Sequence, residues 1–125
     1  MSQEQRMETI KHFKELKVWQ KGIEIVKDIY EITKCFPKEE MYGLTTQMRR
    51  CAISVPSNIA EGFKRYHAKE YKQFLYIALG SLAELETQIV IPKEVGLIED
   101  STLDSVNEKL DHISKMLSSL ISKLR

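Results

Sequence analysis

The three histidines are the residues to test first, because helical bundles can hold two metal ions in a core of Glu-x-x-His pairs. His12, His67 and His112 are each preceded, three positions earlier, by Thr or Lys and never by Glu. The sequence also contains no Cys-x-x-Cys, His-Glu-x-x-His, P-loop or Gly-x-Gly-x-x-Gly spacing. It therefore predicts no metal site and no cofactor.

Hydroxyl and thiol groups are the remaining candidates for catalysis, since they act as nucleophiles when a base activates them. The hydroxyl residues in the helical pattern are Ser54, Ser57, Ser81 and Thr87. None has a histidine nearby in that pattern, so we expect small or capping residues at helix contacts. Cys35 and Cys51 lie in apolar patterns, where a free cysteine behaves as a small hydrophobic residue, and they fit a reducing cytosol. The sequence thus predicts a cytoplasmic protein that is not an enzyme.

A mildly basic centre is the strongest candidate for binding, in a chain whose net charge is only +1. Between Gly43 and Leu79, six Lys and Arg residues stand against two acids. The six are Arg49, Arg50, Lys64, Arg65, Lys69 and Lys72. Such residues can neutralise phosphates, and the Tyr66, His67 and Tyr71 side chains among them can stack on unpaired bases. The alternative is a solvated surface whose cations pair with carboxylates of the same chain.

Apolar residues that recur every three or four positions organise the chain into four helical segments. The stripes predict helices over residues 18–36, about 39–63, 71–89 and 103–124, and no strand-like alternation competes with them. Pro37 ends the first segment. We expect Pro92 to kink or fray the end of the third and Gly96 to stop it. Asp100 and the two residues after it are good N-caps for the fourth.

Pro56 lies inside the second stripe, where proline removes a helical hydrogen bond and clashes with the preceding turn. We predict a kink in the second helix there, because the stripe keeps its phase across the proline; a full break is the alternative. Asn58 and Glu61 are polar residues beside that stripe. We expect them to satisfy backbone groups or to pair with a neighbouring helix or subunit, rather than to form a ligand site.

Four amphipathic helices with short connections predict an all-α fold, an up-down-up-down antiparallel four-helix bundle. We expect a single domain over residues 1–125, in which residues 1–15 form a mobile N-terminal arm. No membrane association is expected, because the longest apolar run covers only residues 74–79, far short of the ~20 residues of a membrane span.

The second and third segments carry more apolar residues than one buried stripe needs. The extra residues are Ile53, Phe63, Tyr76, Ile77 and Leu79. A second apolar surface suggests self-association, and a wider core within one chain is the alternative. Our candidates for contacts between subunits are Val55, Ile59, Phe63, Ile77 and Leu79.

Four stretches of the sequence resemble a bacterial family. They cover residues 13–20, 36–50, 54–62 and 77–86, and include the string Ser-Val-Pro-Ser-Asn-Ile-Ala-Glu-Gly that starts at Ser54. Together they are similar to the four-helix-bundle proteins encoded in intervening sequences of 23S ribosomal RNA genes. The resemblance spans roughly residues 13 to 98, and the last segment matches only in being amphipathic.

This resemblance implies a homopentamer of four-helix bundles without an established catalytic activity. An accessory protein of diversity-generating retroelements has a similar fold and binds nucleic acid and a reverse transcriptase, which by analogy favours a role for the basic residues. Two departures stand out. His67 stands where the family usually has the Ser of a capping box with Glu70, and Pro92 stands where a helix-forming residue is usual.

Our prediction is a non-enzymatic, oligomeric interaction protein that contacts RNA or a ribonucleoprotein through its basic residues. The alternative is a structural adaptor that binds a protein partner and has no nucleic-acid role.

Overall fold

The computed structural model describes residues 10–124, and within that range it contains four long helices and no strand. Each helix contains most of one of the four predicted apolar stripes. The prediction of an all-α, four-helix bundle is confirmed. The four helices are α1 (Lys17–Lys34), α2 (Thr46–Phe63), α3 (Ala68–Glu94) and α4 (Asp100–Lys123).

The core of the bundle is built from the predicted stripes, because residues three and four positions apart share one face of a helix. Every helix contributes to it, and the side chains that close it are aliphatic. The largest fully buried side chains are Ile25, Ile29, Met48, Val55, Ile59, Leu75, Leu82, Leu85, Ile89, Leu110, Ile113 and Leu117.

The contacts between α2 and α3 run in opposite directions along the chain. Gly62, late in α2, lies against Phe74, early in α3. Cys51, early in α2, contacts Glu84, late in α3. These two helices are therefore antiparallel. The up-down-up-down order of the whole bundle stays a prediction, with which these contacts agree.

Pro56 does not divide the second helix. The helix continues from Thr46 to Phe63, and Pro56 is buried in it. A Cβ atom built on Gly22 of α1 would lie 3.4 Å from the Pro56 ring, so α1 and α2 approach closely there. The full break is thus excluded, whereas the kink stays a prediction.

The regular part of α2 begins seven residues later than the predicted start at Glu39. A 3₁₀ turn at Lys38–Glu40 and a wide turn at Met41–Thr45 precede it. Gly43 has φ −120° and ψ −106°, which are not helical angles, so the chain leaves the helical path at that residue. The apolar periodicity did not reveal this, because Leu44 continues the stripe in sequence.

The third helix ends as Gly96 predicts, whereas a kink at Pro92 stays a prediction. It runs through Pro92 to Glu94 without fraying, and Gly96 then has a φ of +81°. That left-handed angle is easy for glycine and closes the helix. The Pro92 carbonyl accepts hydrogen bonds from the backbone N–H groups of Leu97 (2.7 Å) and Ile98 (3.3 Å), which tightens the connection to α4.

The described part of the predicted N-terminal arm packs on the bundle. The Phe13 ring lies 5.4 Å from the Trp19 ring in a tilted arrangement, and Leu16, which directly follows the arm, is buried. Ile10 is partly buried against the same core. Residues 1–9 of the arm lie outside the described residues.

Candidate functional site

The three histidines lie at the surface, and none of them belongs to a group of side chains in the described residues that could hold a metal ion. His12, His67 and His112 are all exposed. His112 lines a shallow cleft between α1 and α4 together with Lys21 and Glu24. Among residues 10–124, no three His, Cys, Asp or Glu side chains come close enough to bind one ion.

A small polar cluster connects α2 to α3. The Cys51 thiol donates to the Ser81 carbonyl (3.0 Å) and to Glu84 Oε2 (3.3 Å), and Ser54 Oγ donates to Ser81 Oγ (2.6 Å). Burial and then the neighbouring Glu84 carboxylate raise the pKa of Cys51 from 9.0 to about 12. Cys51 therefore stays a neutral thiol, and the cluster joins two helices instead of activating a nucleophile.

The other predicted polar residues are also bound within the chain. Asn58 Nδ2 donates to the Ser54 carbonyl (2.8 Å), and Glu61 pairs with Arg65 at 2.7 Å. Thr87 Oγ1 donates to the Ala83 carbonyl. Asn58 thus bonds a backbone carbonyl, as expected, whereas Glu61 pairs with a cation four residues along the chain and not with a neighbouring helix.

The six basic candidates lie in two groups along the chain, which the sequence interpretation did not distinguish. Arg49 and Arg50 lie near the start of α2, whereas Lys64 and Arg65 follow its end. A separation of about 15 residues corresponds to about 22 Å along a helix. One group is the pair Arg49 and Arg50 near the start of α2. The other group lies around the connection between α2 and α3 and consists of Lys64, Arg65, Lys69 and Lys72.

Several of these cations are already held by neighbours. Arg49 Nε donates to Thr33 Oγ1 (2.9 Å), and its guanidinium lies 4.4 Å from the centre of the Tyr30 ring. Arg65 pairs with Glu61 and covers the Phe74 ring at 4.8 Å. Arg50 and Lys69 are exposed, and Lys72 is half-buried. Lys64 lies 5.9 Å above the Phe13 ring.

The candidates for subunit contacts divide into core and surface residues. Val55 and Ile59 have no exposed surface, so they belong to the core of one chain. This corrects the expectation for both, since a fully buried side chain offers nothing to a second subunit. Phe63 and Leu79 are half-buried and pack against the same core. Only Ile77, which is 51% exposed, lies at the surface.

The outward face of α3 is the feature that the sequence interpretation only partly recognised. Tyr76 is 58% exposed and Ile91 45%, and a Cβ atom at Gly80 would meet nothing within 4 Å. These residues belong to a second series with helical spacing, on the side of α3 opposite to its buried stripe. We call this series the outer stripe; its members are Tyr76, Gly80, Ala83, Thr87 and Ile91. The signal was present in the sequence as a second stripe in the same segment.

α3 is also long and apolar enough to cross a membrane by length and composition, with a mean hydropathy of 1.4 over its most apolar window. Only 28% of that window is buried by the rest of the chain. One such helix is weak evidence of a membrane span. It does show that α3 has far more apolar surface than the bundle covers.

A second apolar surface lies between α1 and α2. It is a groove of about 270 Å³, and Ile53 is the one residue of its lining that the sequence interpretation counted among the extra apolar residues. We call it the α1–α2 groove; it is lined by Trp19, Ile23, Val26, Ile53, Pro56, Ser57 and Ala60.

Comparisons with known proteins agree with the helical architecture. A family model described as 23S rRNA-intervening sequence protein matches residues 14–119. A crystal structure from Bacteroides thetaiotaomicron, described as a protein with unknown function from the S23 ribosomal protein family, is similar with a TM-score of 0.77. The two share 24% sequence identity, and the match covers 83% of this chain and 97% of that one. No curated protein matches the chain significantly.

Proposed function

We propose that this chain, which belongs to the 23S rRNA-intervening sequence protein family, is a non-enzymatic interaction protein that works as a homo-oligomer. The homopentamer implied by the family resemblance is the assembly we expect. The observation that carries the proposal is the outer stripe of α3, which is apolar or small along its length and is not covered by any residue in the described range 10–124.

Gly80 is the residue that makes this stripe unusual. Glycine in the middle of a helix costs about 1 kcal/mol relative to alanine. Among residues 10–124, no neighbour lies within 4 Å of a Cβ atom built on Gly80, so none of them requires glycine there. Small residues at a helix surface allow a second helix to approach closely. Gly80 and Ala83 would serve this purpose in an assembly, with Tyr76 and Ile91 packing on either side.

A second copy suits this surface better than lipid does. The opposite face of α3 packs in the core against α2 and α4. Those helices expose charged residues such as Arg50 and Lys115, which hydrocarbon would not solvate. A partner that covers only the outer stripe leaves these charges in water.

Sedimentation velocity of matched variants tests the proposal. Thr87→Arg places a charge in the outer stripe, and Ser118→Arg places the same charge on an exposed position of α4. We expect the wild type and Ser118→Arg to sediment as the same oligomer and Thr87→Arg to sediment as a folded monomer. Equal sedimentation of all three proteins as an oligomer would remove the outer stripe from the interface.

Nucleic-acid binding is a second candidate, favoured by the connection between α2 and α3. Tyr66 is 99% exposed there, and its neighbours in sequence include Lys64 and Lys69. An exposed ring beside cations is what stacking on a base and contact with phosphates require. Tyr66 and Lys69 precede the outer stripe, which begins at Tyr76, so an oligomer built on that stripe would present these two residues once per subunit.

A salt series with structured RNA tests this candidate. We expect filter retention that weakens as salt rises, because phosphate contacts release counterions. Lys69→Glu should lower the affinity and the salt dependence, whereas Lys115→Glu on α4 should leave both unchanged. Absence of binding at low salt, or equal binding by the two variants, would favour an adaptor for protein partners without a nucleic-acid role.

A further inference from the structure

We infer that the outer stripe of α3 in one copy of this chain binds the α1–α2 groove of a second copy. The contact is head to tail, since each copy contributes a different surface. This inference rests on the proposed self-association and names its two faces. When two different surfaces of the same molecule bind each other, the copies form a closed ring if the rotation between neighbouring copies returns to the first one. They form a filament if it does not.

The outer stripe has the shape of a ridge with a low centre. Gly80 and Ala83 carry almost no side chain, and the large side chains Tyr76 and Ile91 flank them. From residue 76 to residue 91 the stripe spans about 22 Å along the helix axis, or four turns. A partner must therefore offer an apolar surface of similar length.

The α1–α2 groove offers such a surface. Its walls are Trp19, Ile23 and Val26 on α1 and Ile53 and Ala60 on α2. Both helices that form it have 18 residues, which corresponds to about 27 Å each. A groove between two packed helices is the usual receptor for the apolar face of a third helix.

The charges beside the middle of the outer stripe are acidic, whereas Lys72 lies one turn before Tyr76, at the end of the stripe. Between residues 73 and 92, α3 carries only two charged residues, Glu84 and Glu86. Both are exposed, and they lie on either side of the stripe.

The charges at the edges of the groove are basic. Lys27 lies one turn beyond Ile23 on α1. Arg50 lies one turn before Ile53 on α2, and Lys64, the residue after the end of α2, lies one turn beyond Ala60. All three cations are exposed.

The acidic residues of α1 point elsewhere. Asp28 and Glu31 line a cleft towards α4, and Glu24 lines the neighbouring one. The groove edge on α1 is therefore left to Lys27.

On α2 the exposed Glu61 lies one turn from Ser57, but it is paired with Arg65 at 2.7 Å, so the rim of the groove carries an excess of basic charge.

These charges also argue against a symmetric contact between two copies of α3. Such a contact would bring Glu84 and Glu86 of one copy towards the same residues of the other, and like charges at close range oppose association. Pairing the stripe with the groove instead brings acids towards cations. The charge pattern thus selects the α1–α2 groove of the second copy over its α3 helix.

Mixing two variants tests the inference. Gly80→Arg blocks the stripe and leaves the groove intact, and a side chain fits there without a clash in the single chain. Ser57→Arg blocks the groove from an exposed position and leaves the stripe intact. Each variant alone should sediment as a folded monomer. An equimolar mixture should form a one-to-one dimer that does not grow, because each partner retains the surface that the other lacks.

Matched controls carry the same charge away from both surfaces. Gln47→Arg on α2 and Ser118→Arg on α4 are both at exposed positions, and each should assemble as the wild type does. Ile53→Lys is a second groove variant, to be used if circular dichroism shows that Ser57→Arg does not fold.

The outcomes separate this inference from the proposal on which it rests. Wild-type protein that remains monomeric would overturn both. Assembly of a folded groove variant on its own would overturn the head-to-tail pairing and indicate a symmetric contact, while self-association would stand. Monomers in the mixture, with an assembling wild type, would likewise overturn only the pairing.

Discussion

Gly62 of α2 lies so close to Phe74 of α3 that a Cβ atom at Gly62 would stand 2.8 Å from the Phe74 Cβ atom. No real contact of that kind is so short, and the Tyr71 side chain and carbonyl, at 3.0 and 3.1 Å, close the same space. The two helices can approach each other here only because the residue is glycine.

Gly62→Ala should therefore destabilise the protein, although alanine favours helices by about 1 kcal/mol. Overpacking costs about 1–3 kcal/mol, which exceeds that gain. We expect a lower urea midpoint. Gly80→Ala is the matched control, since it faces open space and should raise the midpoint. Both are measured in the Thr87→Arg background, so that self-association does not contribute. A stabilised Gly62→Ala would contradict the close approach.

The start of α3 lacks a side-chain cap. His67 occupies the N-cap position with φ −111° and ψ 135°, and its side chain makes no capping hydrogen bond. Glu70 stands three residues later, where it would complete a capping box with serine. His67→Ser should thus stabilise the protein by about 1 kcal/mol, and His67→Ala should not. Thermal unfolding measures the difference, and equal melting temperatures for the two variants would refute the prediction.

Two buried groups predict a loss of stability at alkaline pH. Burial raises the pKa of Cys51 from 9.0 to about 12 and that of Tyr71 from 10.0 to about 12. Below pH 9 both are protonated in the folded and the unfolded chain. Above it the unfolded chain loses these protons first, so the free energy of unfolding falls by up to about 1.4 kcal/mol per pH unit and group.

The double variant Cys51→Ala and Tyr71→Phe should lose less stability between pH 9 and 11 than the wild type, whatever its stability at pH 7. Urea unfolding at several pH values measures the slope. Cys35→Ala is the control, because Cys35 is exposed. A wild type and double variant with the same slope would mean that neither group is held protonated by the fold.

Ile59 and Ile77 had the same predicted role and have different positions in the structure. Ile59 has no exposed surface, whereas Ile77 is half exposed on α3. Ile59→Ala should cost about 2–5 kcal/mol of folding free energy, because it leaves a cavity in the core. Ile77→Ala should change the unfolding of the monomer by no more than about 0.5 kcal/mol. Comparable losses in urea unfolding of the Thr87→Arg background would contradict this assignment.

This pair shows how far the sequence determines the fold. The spacing of Leu75, Leu82 and Leu85 predicts a buried stripe, and those residues are the core of α3. The same spacing does not state how wide the buried face is. Ile59 and Ile77 are equally apolar in sequence, and only the packing of neighbouring helices decides which of them is covered.

The basic residues illustrate what sequence proximity cannot predict. Arg50 and Lys64 both belong to the mildly basic centre of the sequence, but they lie at opposite ends of α2. Arg49 forms its contacts with Tyr30 and Thr33, which belong to another helix and became neighbours only on folding. The predicted start of α2 at Glu39 was also wrong, because the backbone angles of Gly43 belong to a turn that the apolar pattern does not reveal.

The molar mass of the wild-type protein in solution tests the central claim, that the outer stripe of α3 is covered by another copy of the chain. Light scattering behind a sizing column at micromolar concentration measures it directly. We predict a mass that is a multiple of the 14.6 kDa of one chain and that Thr87→Arg reduces to 14.6 kDa. A wild-type mass of 14.6 kDa at every concentration would contradict the claim.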